Sequence, residues 1–128
     1  MANILLLEPN QLLASQVASY LAEQGHQVRL AHDAQSAINQ TDQTTPDIVI
    51  IEVLLASHSG IEFLYEFRSY SEWRNVPVMI FSRITRTELA TTDKMLASLG
   101  VTAYLYKPST TLKRLNNRLL ASLATQSA

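Results

Sequence analysis

The amino-acid sequence predicts one α/β domain in which a five-stranded parallel sheet lies between helices on both faces, a doubly wound arrangement. Five short apolar runs recur at intervals of about 20–25 residues, and segments with helical spacing lie between them. The length of 128 residues fits a single domain that buries its own core. Each strand–helix–strand crossover in such a chain is expected to be right-handed.

The apolar runs predict strands because they are rich in Ile, Val, Leu and aromatic residues, without alternating polar residues. This composition is typical of strands that are buried on both faces of a parallel sheet. Pro46 and Pro77 stand at strand entrances, where a missing backbone N–H is tolerated. The predicted strands are 4–7, 28–30, 48–51, 76–81 and 104–106.

The segments between the strands carry apolar residues at three- and four-residue intervals, which predicts five amphipathic helices. We place the fourth helix at 87–99, and we expect Gly25 and Gly100 to end the first and fourth helices in the left-handed conformation. The candidate N-caps are Asn10, Asp33, Ser59, Thr85 and either Ser109 or Thr110.

The composition, with 47% hydrophobic and 16% charged residues, is that of a soluble globular protein, and we expect a cytoplasmic location because no targeting segment is visible. No run approaches the roughly 20 apolar residues that a membrane span needs, so we expect no contact with a membrane. The net charge of −1 argues against nucleic-acid binding by this domain. Cysteine is absent, and the spacing of His26, His32 and His58 does not match a zinc site, so we expect no metal site with nitrogen or sulfur ligands. We also expect no cofactor.

Polar side chains follow four of the predicted strands at the point where each strand ends. They are Glu8, Glu52, Ser82 and Lys107, after the first, third, fourth and fifth strands. The carboxyl ends of parallel strands meet at one edge of a sheet, which is where ligands bind in such folds. We therefore expect two carboxylates, one hydroxyl and one amine to share a small polar crevice.

Four segments around these residues resemble the signature blocks of CheY-like receiver domains, which belong to bacterial two-component response regulators. The segments are 4–8, 46–52 with Ser59-Gly60 following, 77–82 and 104–108. The resemblance extends from residue 3 to about residue 123, so we assign 1–123 to a receiver domain and 124–128 to a polar C-terminal tail. It implies a flavodoxin-like fold with strand order 2-1-3-4-5.

The resemblance also implies roles for individual residues. A working receiver has an aspartate phosphoacceptor after strand three, two adjacent acids that hold Mg²⁺ after strand one, and a Ser or Thr after strand four. A lysine followed by a proline ends strand five. The equivalents here are the phosphoacceptor-equivalent Glu52, the acidic-pocket residue Glu8, the switch residues Ser82 and Tyr104, the pair Lys107 and Pro108, and Pro9 in place of the second acid.

Glu52 and Pro9 depart from the family pattern, and both weaken phosphoryl chemistry. The extra methylene of Glu52 moves the carboxylate outward by about 1.5 Å, whereas phosphoryl transfer depends on placement of the reacting groups. Mg²⁺ is usually held by one or two carboxylates, so Glu8 beside Pro9 is a poor anchor by itself. Glu52 is a second carboxylate that could join it, so Mg²⁺ binding is weakened and not excluded. The Glu52 carboxylate either mimics a phosphoryl group or is a silent remnant, and the sequence leaves both open.

We therefore interpret the chain as a degenerate receiver, a pseudo-receiver that acts by protein–protein interaction in signal transduction and is not an enzyme. The resemblance implies a signalling partner, a histidine kinase or an output protein, on the face formed by helix 4, strand 5 and helix 5. A homodimer is left open. One alternative is a working phosphoacceptor in a His-Asp phosphorelay. Another is a flavin-type binder on the same fold, although the turn at 8–12 has no Gly- or Ser-rich phosphate cradle.

Overall fold

The computed structural model describes residues 2–55 and 59–127, so His58, one of the three histidines considered above, lies outside the described residues. The strands within these ranges are β1 (Asn3–Leu7), β2 (Gln27–Ala31), β3 (Ile48–Ile51), β4 (Val78–Ser82) and β5 (Val101–Tyr106). The helices are α1 (Gln11–Glu23), α2 (Ala34–Gln43), α3 (Gly60–Ser69), α4 (Asp93–Ser98) and α5 (Leu112–Ser127). Two 3-10 turns, Ser71–Trp73 and Lys107–Ser109, precede β4 and α5.

The five strands form one parallel sheet in the order β2-β1-β3-β4-β5, which confirms the predicted fold class and strand order. The strand order reverses beside β1, which has β2 on one side and β3 on the other. Leu7 pairs with Ala31 of β2 and with Ile51 of β3, so these three strands end at the same level. Side chains that follow β1 and β3 therefore emerge side by side at the topological switch point.

An apolar core fills the space on each side of the sheet. Leu5 and Leu7 belong to the core that includes α2, α3 and α4, whereas Ile4 and Leu6 belong to the core that includes α1 and α5. All four side chains are buried, because successive residues of a strand point to opposite faces. This two-sided burial explains why β1 reads as an uninterrupted apolar run.

Most of the predicted helix ends are confirmed. Asn10, Asp33 and Ser59 each accept a hydrogen bond from a backbone N–H of the first helical turn, at 2.8–3.0 Å. Each cap satisfies one of the N–H groups that a helix leaves without an internal partner. Gly25 and Gly100 follow α1 and α4 with φ angles of 95° and 79°, in the left-handed region that favours glycine.

The fourth helix is shorter than predicted, and its predicted start is wrong. α4 covers only Asp93–Ser98, and its N-cap is Thr92, which accepts from the backbone N–H three residues later at 3.1 Å. Thr85 does exchange hydrogen bonds with Glu88 in the manner of a capping box, at 2.7 and 3.3 Å. That turn is not extended into a helix, because the β-branched Thr91 and Thr92 favour a second cap over helix continuation.

The start of α5 also differs from the prediction. Thr111 caps the helix by accepting from the backbone N–H three residues later at 3.1 Å, and neither Ser109 nor Thr110 does so. The hydroxyls of Ser109 and Thr110 instead donate back to the carbonyl of Tyr106, which closes the preceding 3-10 turn. The helix includes residues 124–127, so most of the predicted polar tail forms its last turn. The predicted domain boundary stays a prediction.

Candidate functional site

The four polar residues predicted at the strand ends come together in the fold. Glu8 follows β1, Glu52 follows β3, Ser82 ends β4 and Lys107 follows β5. Glu8 and Glu52 are 3% and 2% exposed, and Ser82 is fully buried. We call these four residues the strand-end cluster.

The ammonium group of Lys107 lies between the two carboxylates of the cluster. Its Nζ donates to Glu8 Oε1 at 2.6 Å and to Glu52 Oε1 at 2.7 Å. The lysine side chain is only 14% exposed, so the three charges are paired away from bulk water. Such a buried arrangement is costly to break, because removal of one partner leaves an uncompensated charge.

Every carboxylate oxygen of the cluster accepts a hydrogen bond. Glu8 Oε2 accepts from the backbone N–H of Asn10 at 3.1 Å. Glu52 Oε1 also accepts from the N–H of Arg83 at 3.1 Å, while Oε2 accepts from the N–H of Leu54 at 3.1 Å and from the hydroxyl that ends β4. Sequence reasoning missed the three backbone donors, because nearly every residue has an N–H and only the fold shows which of them converge.

The carboxyl group of Glu52 has a pKa below its ordinary value of 4.5. Burial by itself raises this pKa, but hydrogen bonds from Lys107, Ser82 and the N–H of Leu54, together with the Lys107 charge, outweigh the burial. Glu52 is therefore ionised at neutral pH. Its charge is neutralised by a lysine and not by a proton.

The cluster does not fit the Mg²⁺ ion that the family pattern implies. Mg²⁺ requires oxygen ligands in near-octahedral geometry, whereas the carboxylate oxygens of Glu8 and Glu52 are directed at Lys107 and at N–H groups. Pro9 supplies no carboxylate in the place of the second acid. Within residues 2–55 and 59–127, no group of three or more acidic, histidine or cysteine side chains is placed to hold a metal ion.

The other predicted switch residue, Tyr104 on β5, is turned toward the segment that follows β4. Its hydroxyl donates to the carbonyl oxygens of Ile84 and Thr85 at 2.7 and 3.2 Å. Burial raises the pKa of this hydroxyl, which therefore stays protonated as a donor. Pro108 lies in the 3-10 turn that leads from Lys107 toward α5.

A cleft of about 420 Å³ opens over the strand-end cluster, and Pro9, Leu13 and Arg83 line it together with the charged groups. The polar atoms of Glu8, Glu52 and Lys107 that border this cleft already have protein partners. Sequence reasoning did not select Arg83, whose side chain is exposed. Its position directly after Ser82 was the feature of the sequence that could have indicated it as a site residue.

A scan against known protein families supplies the deciding observation. The family described as response regulator receiver domain matches residues 4–120, which is nearly the whole chain. The chain belongs to the receiver-domain family. Receiver domains are modules of two-component signalling that communicate with kinases and with output domains.

The curated relatives of this receiver include longer regulators. It is 31% identical over 109 residues to the KDP operon transcriptional regulatory protein KdpE of Escherichia coli, in an alignment that covers 84% of this chain and 45% of KdpE. It is 30% identical over 79 residues to the phosphate regulon transcriptional regulatory protein PhoB of the same organism, covering 62% of this chain and 34% of PhoB. The receiver therefore spans less than half the length of these relatives.

Solved structures share the fold of this receiver. The chemotaxis response regulator CheY4 of Vibrio cholerae superposes with a TM-score of 0.83 at 23% identity, covering 95% of this chain and 98% of CheY4. A sensor protein from Polaromonas sp. JS666 gives a TM-score of 0.87 at 19% identity, with 97% of each chain covered. At these identities the likeness shows the fold alone. None of the helices in the described part of the receiver is long and apolar enough to cross a membrane.

Proposed function

We propose that this protein is a pseudo-receiver, which signals by docking to other proteins and does not accept a phosphoryl group. The contacts of Lys107 carry the proposal. This lysine bridges Glu8 and Glu52 inside the protein, and every oxygen of both carboxylates accepts a hydrogen bond. An internal ion cluster thus occupies the place where a working receiver performs its chemistry.

Phosphoryl transfer to Glu52 is opposed at three points. The attacking oxygen would have to give up its hydrogen bonds, and the longer side chain shifts it from the position of an aspartate oxygen. The charge that develops on the phosphoryl oxygens also needs neutralising. Lys107 already neutralises Glu8 and Glu52, and Pro9 adds no metal ligand.

We further propose that Glu52 holds the receiver in one signalling state and is not a silent remnant. Two contacts support this. The hydroxyl of Ser82 donates to Glu52, and the hydroxyl of Tyr104 donates to the carbonyl of Ile84 at 2.7 Å. Both switch residues of the family pattern are therefore engaged, and the Glu52 carboxylate acts as a permanent substitute for the phosphoryl group.

The proposed partner is a signalling protein, a histidine kinase or an output protein, that docks on the face formed by α4, β5 and α5. We call it the α4–β5–α5 face, and β5 is an edge strand of the sheet. We also propose a cytoplasmic location, no cofactor and no enzymatic activity. The names of KdpE and PhoB describe transcriptional regulators, and we assign any contact with DNA to a domain outside this chain.

The mass of the intact protein after incubation with acetyl phosphate and Mg²⁺ tests this proposal. We expect no increase in mass for the natural protein. A Glu52→Asp, Pro9→Asp double variant restores both acids of the family pattern, and as the matched control it should gain one phosphoryl group. A phosphoryl group on the natural protein would contradict the proposal and identify a working phosphoacceptor of a His-Asp phosphorelay.

A further inference from the structure

The acidic and basic residues of this receiver are segregated along the chain. All 11 acidic residues lie within 1–93, whereas 94–128 contain five basic residues and no acidic residue. In the fold, the second segment forms most of α4 and all of β5 and α5. Lys107 is paired inside the strand-end cluster, and the exposed basic residues of this segment are Lys94, Lys113, Arg114 and Arg118.

α5 concentrates the positive charge next to the edge of the sheet. Arg114, Arg118, Ala121 and Thr125 follow one another at three- and four-residue intervals, so they share one side of the helix. The last three line a groove of about 290 Å³ together with Thr102 of the edge strand β5. We call this cavity the α5 groove. The Arg118 guanidinium approaches the carbonyl of Thr102 at 3.5 Å, which places the charge at the rim of the groove.

The cations around the α5 groove are available to another molecule. Residues 2–55 and 59–127 supply no ion-pair partner to Lys113, Arg114 or Arg118. Ala121 lines the groove beside Arg118 and adds a small apolar contact. Unpaired charge of one sign on an exposed surface is typical of a surface that binds a partner of opposite charge.

A second groove, on the α4 side of β5, has a different character. It measures about 260 Å³ and is lined by residues that include Arg86, Asp93 and Tyr104. The guanidinium of Arg86 pairs with the carboxylate of Asp93 at 2.6 Å, so its charge is balanced within the receiver. Lys94 is exposed on α4, and the other three exposed basic residues of the α4–β5–α5 face, Lys113, Arg114 and Arg118, lie on α5.

We infer that the α5 groove binds an acidic segment of a partner protein. This inference rests on the proposed function, because it specifies the chemistry of the docking partner. Charge complementarity selects carboxylates opposite Arg114 and Arg118. A second copy bound symmetrically at the groove is disfavoured, because a two-fold interface sets the same cations against each other.

Selection from a library of short displayed peptides, with the full chain as the target, tests this inference. The library contains acidic, neutral and basic peptides in equal numbers. We expect the selected peptides to be enriched in Asp and Glu. Their binding should weaken as the salt concentration rises, because salt screens exposed charges.

Charge reversal locates the binding site on the receiver. We expect Arg114→Glu and Arg118→Glu each to weaken the binding of a selected peptide by about tenfold, because each replaces an attraction by a repulsion. Arg74→Glu is the matched control, since Arg74 is an exposed arginine outside the α4–β5–α5 face. It should change the affinity by less than about twofold.

Selected peptides without an excess of acidic residues would overturn the inference, as would acidic peptides that bind the Arg114→Glu variant and the natural protein equally. A short DNA duplex that displaces the peptides at equal concentration would also overturn it, since the groove would then be a nucleic-acid site.

The phosphodonor experiment separates the two proposals. A protein that gains no phosphoryl group and selects no acidic peptides rejects only this inference, whereas a phosphorylated natural protein rejects the proposed function.

Discussion

Positive charge is paired in the strand-end cluster and unpaired at the α5 groove. In the cluster, Lys107 is 14% exposed and contacts two carboxylates at 2.6 and 2.7 Å. At the groove, Arg114 and Arg118 are exposed and have no ion-pair partner among the described residues. We call the first region closed, because its cation is paired within the receiver, and the second region open, because its cations are not. This difference supports the proposal that the receiver acts through docking at its surface and not through chemistry at its strand ends.

Burial determines what a substitution changes in each region. A buried ion must be paired, so loss of a partner in the cluster should lower the free energy of unfolding. An exposed ion is hydrated whether or not it is paired, so its loss at the groove should leave the free energy of unfolding nearly unchanged. Substitutions in the two regions should therefore change the free energy of unfolding by different amounts.

The largest effect is expected from Lys107→Met, which leaves the carboxylates of Glu8 and Glu52 buried without their cation. We expect the free energy of unfolding, measured with urea at neutral pH, to fall by about 3 kcal/mol. Lys113→Met removes an exposed lysine from α5 and should change that free energy by less than about 0.5 kcal/mol. Equal losses in the two variants would erase the distinction between the closed and the open region.

Glu52→Gln should produce the next largest effect, with a characteristic pH dependence. Gln places N–H groups against two existing donors, so we expect a loss of about 1–3 kcal/mol at pH 7. The folded-state pKa of Glu52 lies below 4.5, so the stabilisation by its carboxylate is fully present above that value and is lost as the pH falls through the lower folded-state pKa. The two proteins should therefore converge in stability in acid.

Urea denaturation between neutral pH and acid measures this convergence. A constant difference between natural protein and Glu52→Gln at all pH values would show that the ionised form of Glu52 contributes nothing to stability. That result would contradict the claim that the ionised Glu52 is stabilised by its partners in the strand-end cluster.

Tyr104→Phe should have a moderate effect, because it removes the hydroxyl that bonds Ile84 and Thr85. We expect a loss of about 1 kcal/mol and faster amide hydrogen exchange within residues 83–92. Tyr70→Phe is the matched control and should have little effect, since Tyr70 is 37% exposed and its ring contact with Trp73 is retained by Phe. Unchanged exchange in the Tyr104→Phe variant would show that this tyrosine does not hold the segment after β4.

The smallest effect is expected at the ion pair of Arg86 and Asp93, whose side chains are 28% and 94% exposed. A double-mutant cycle with Arg86→Ala and Asp93→Ala should give a coupling free energy below about 1 kcal/mol. A coupling above about 2 kcal/mol would mean that this ion pair stabilises the fold as strongly as the buried cluster does.

The strand-end cluster could be predicted because its side chains are tied to strand ends. Uninterrupted apolar runs located the strands, and parallel order then required Glu8, Glu52, Ser82 and Lys107 to meet. Their contacts could not be predicted in full. The N–H of Arg83 bonds Glu52 through backbone geometry, which leaves no trace in the residue type.

The region from β4 to α4 was harder to predict because its local signals compete. Thr85 and Glu88 form a genuine helix-start motif, yet Thr92 begins the helix that packs on the sheet. Leu96 and Leu99 are buried in the core, and their packing favours the later start of the helix. This is a tertiary effect, which the periodicity of the sequence does not show. The α5 groove could not be predicted from the net charge of −1, because that sum hides the separation of the acidic residues in 1–93 from the basic residues in 94–128.

Nuclear magnetic resonance of the natural protein during titration with Mg²⁺ tests the closed cluster most directly. The backbone N–H groups of Asn10, Leu54 and Arg83 donate to the two carboxylates and report any rearrangement there. We predict no saturable shift of these signals at millimolar Mg²⁺, and saturable shifts in the Glu52→Asp, Pro9→Asp variant. Saturable shifts in the natural protein would mean that a metal ion displaces Lys107, and would contradict the account of a closed site.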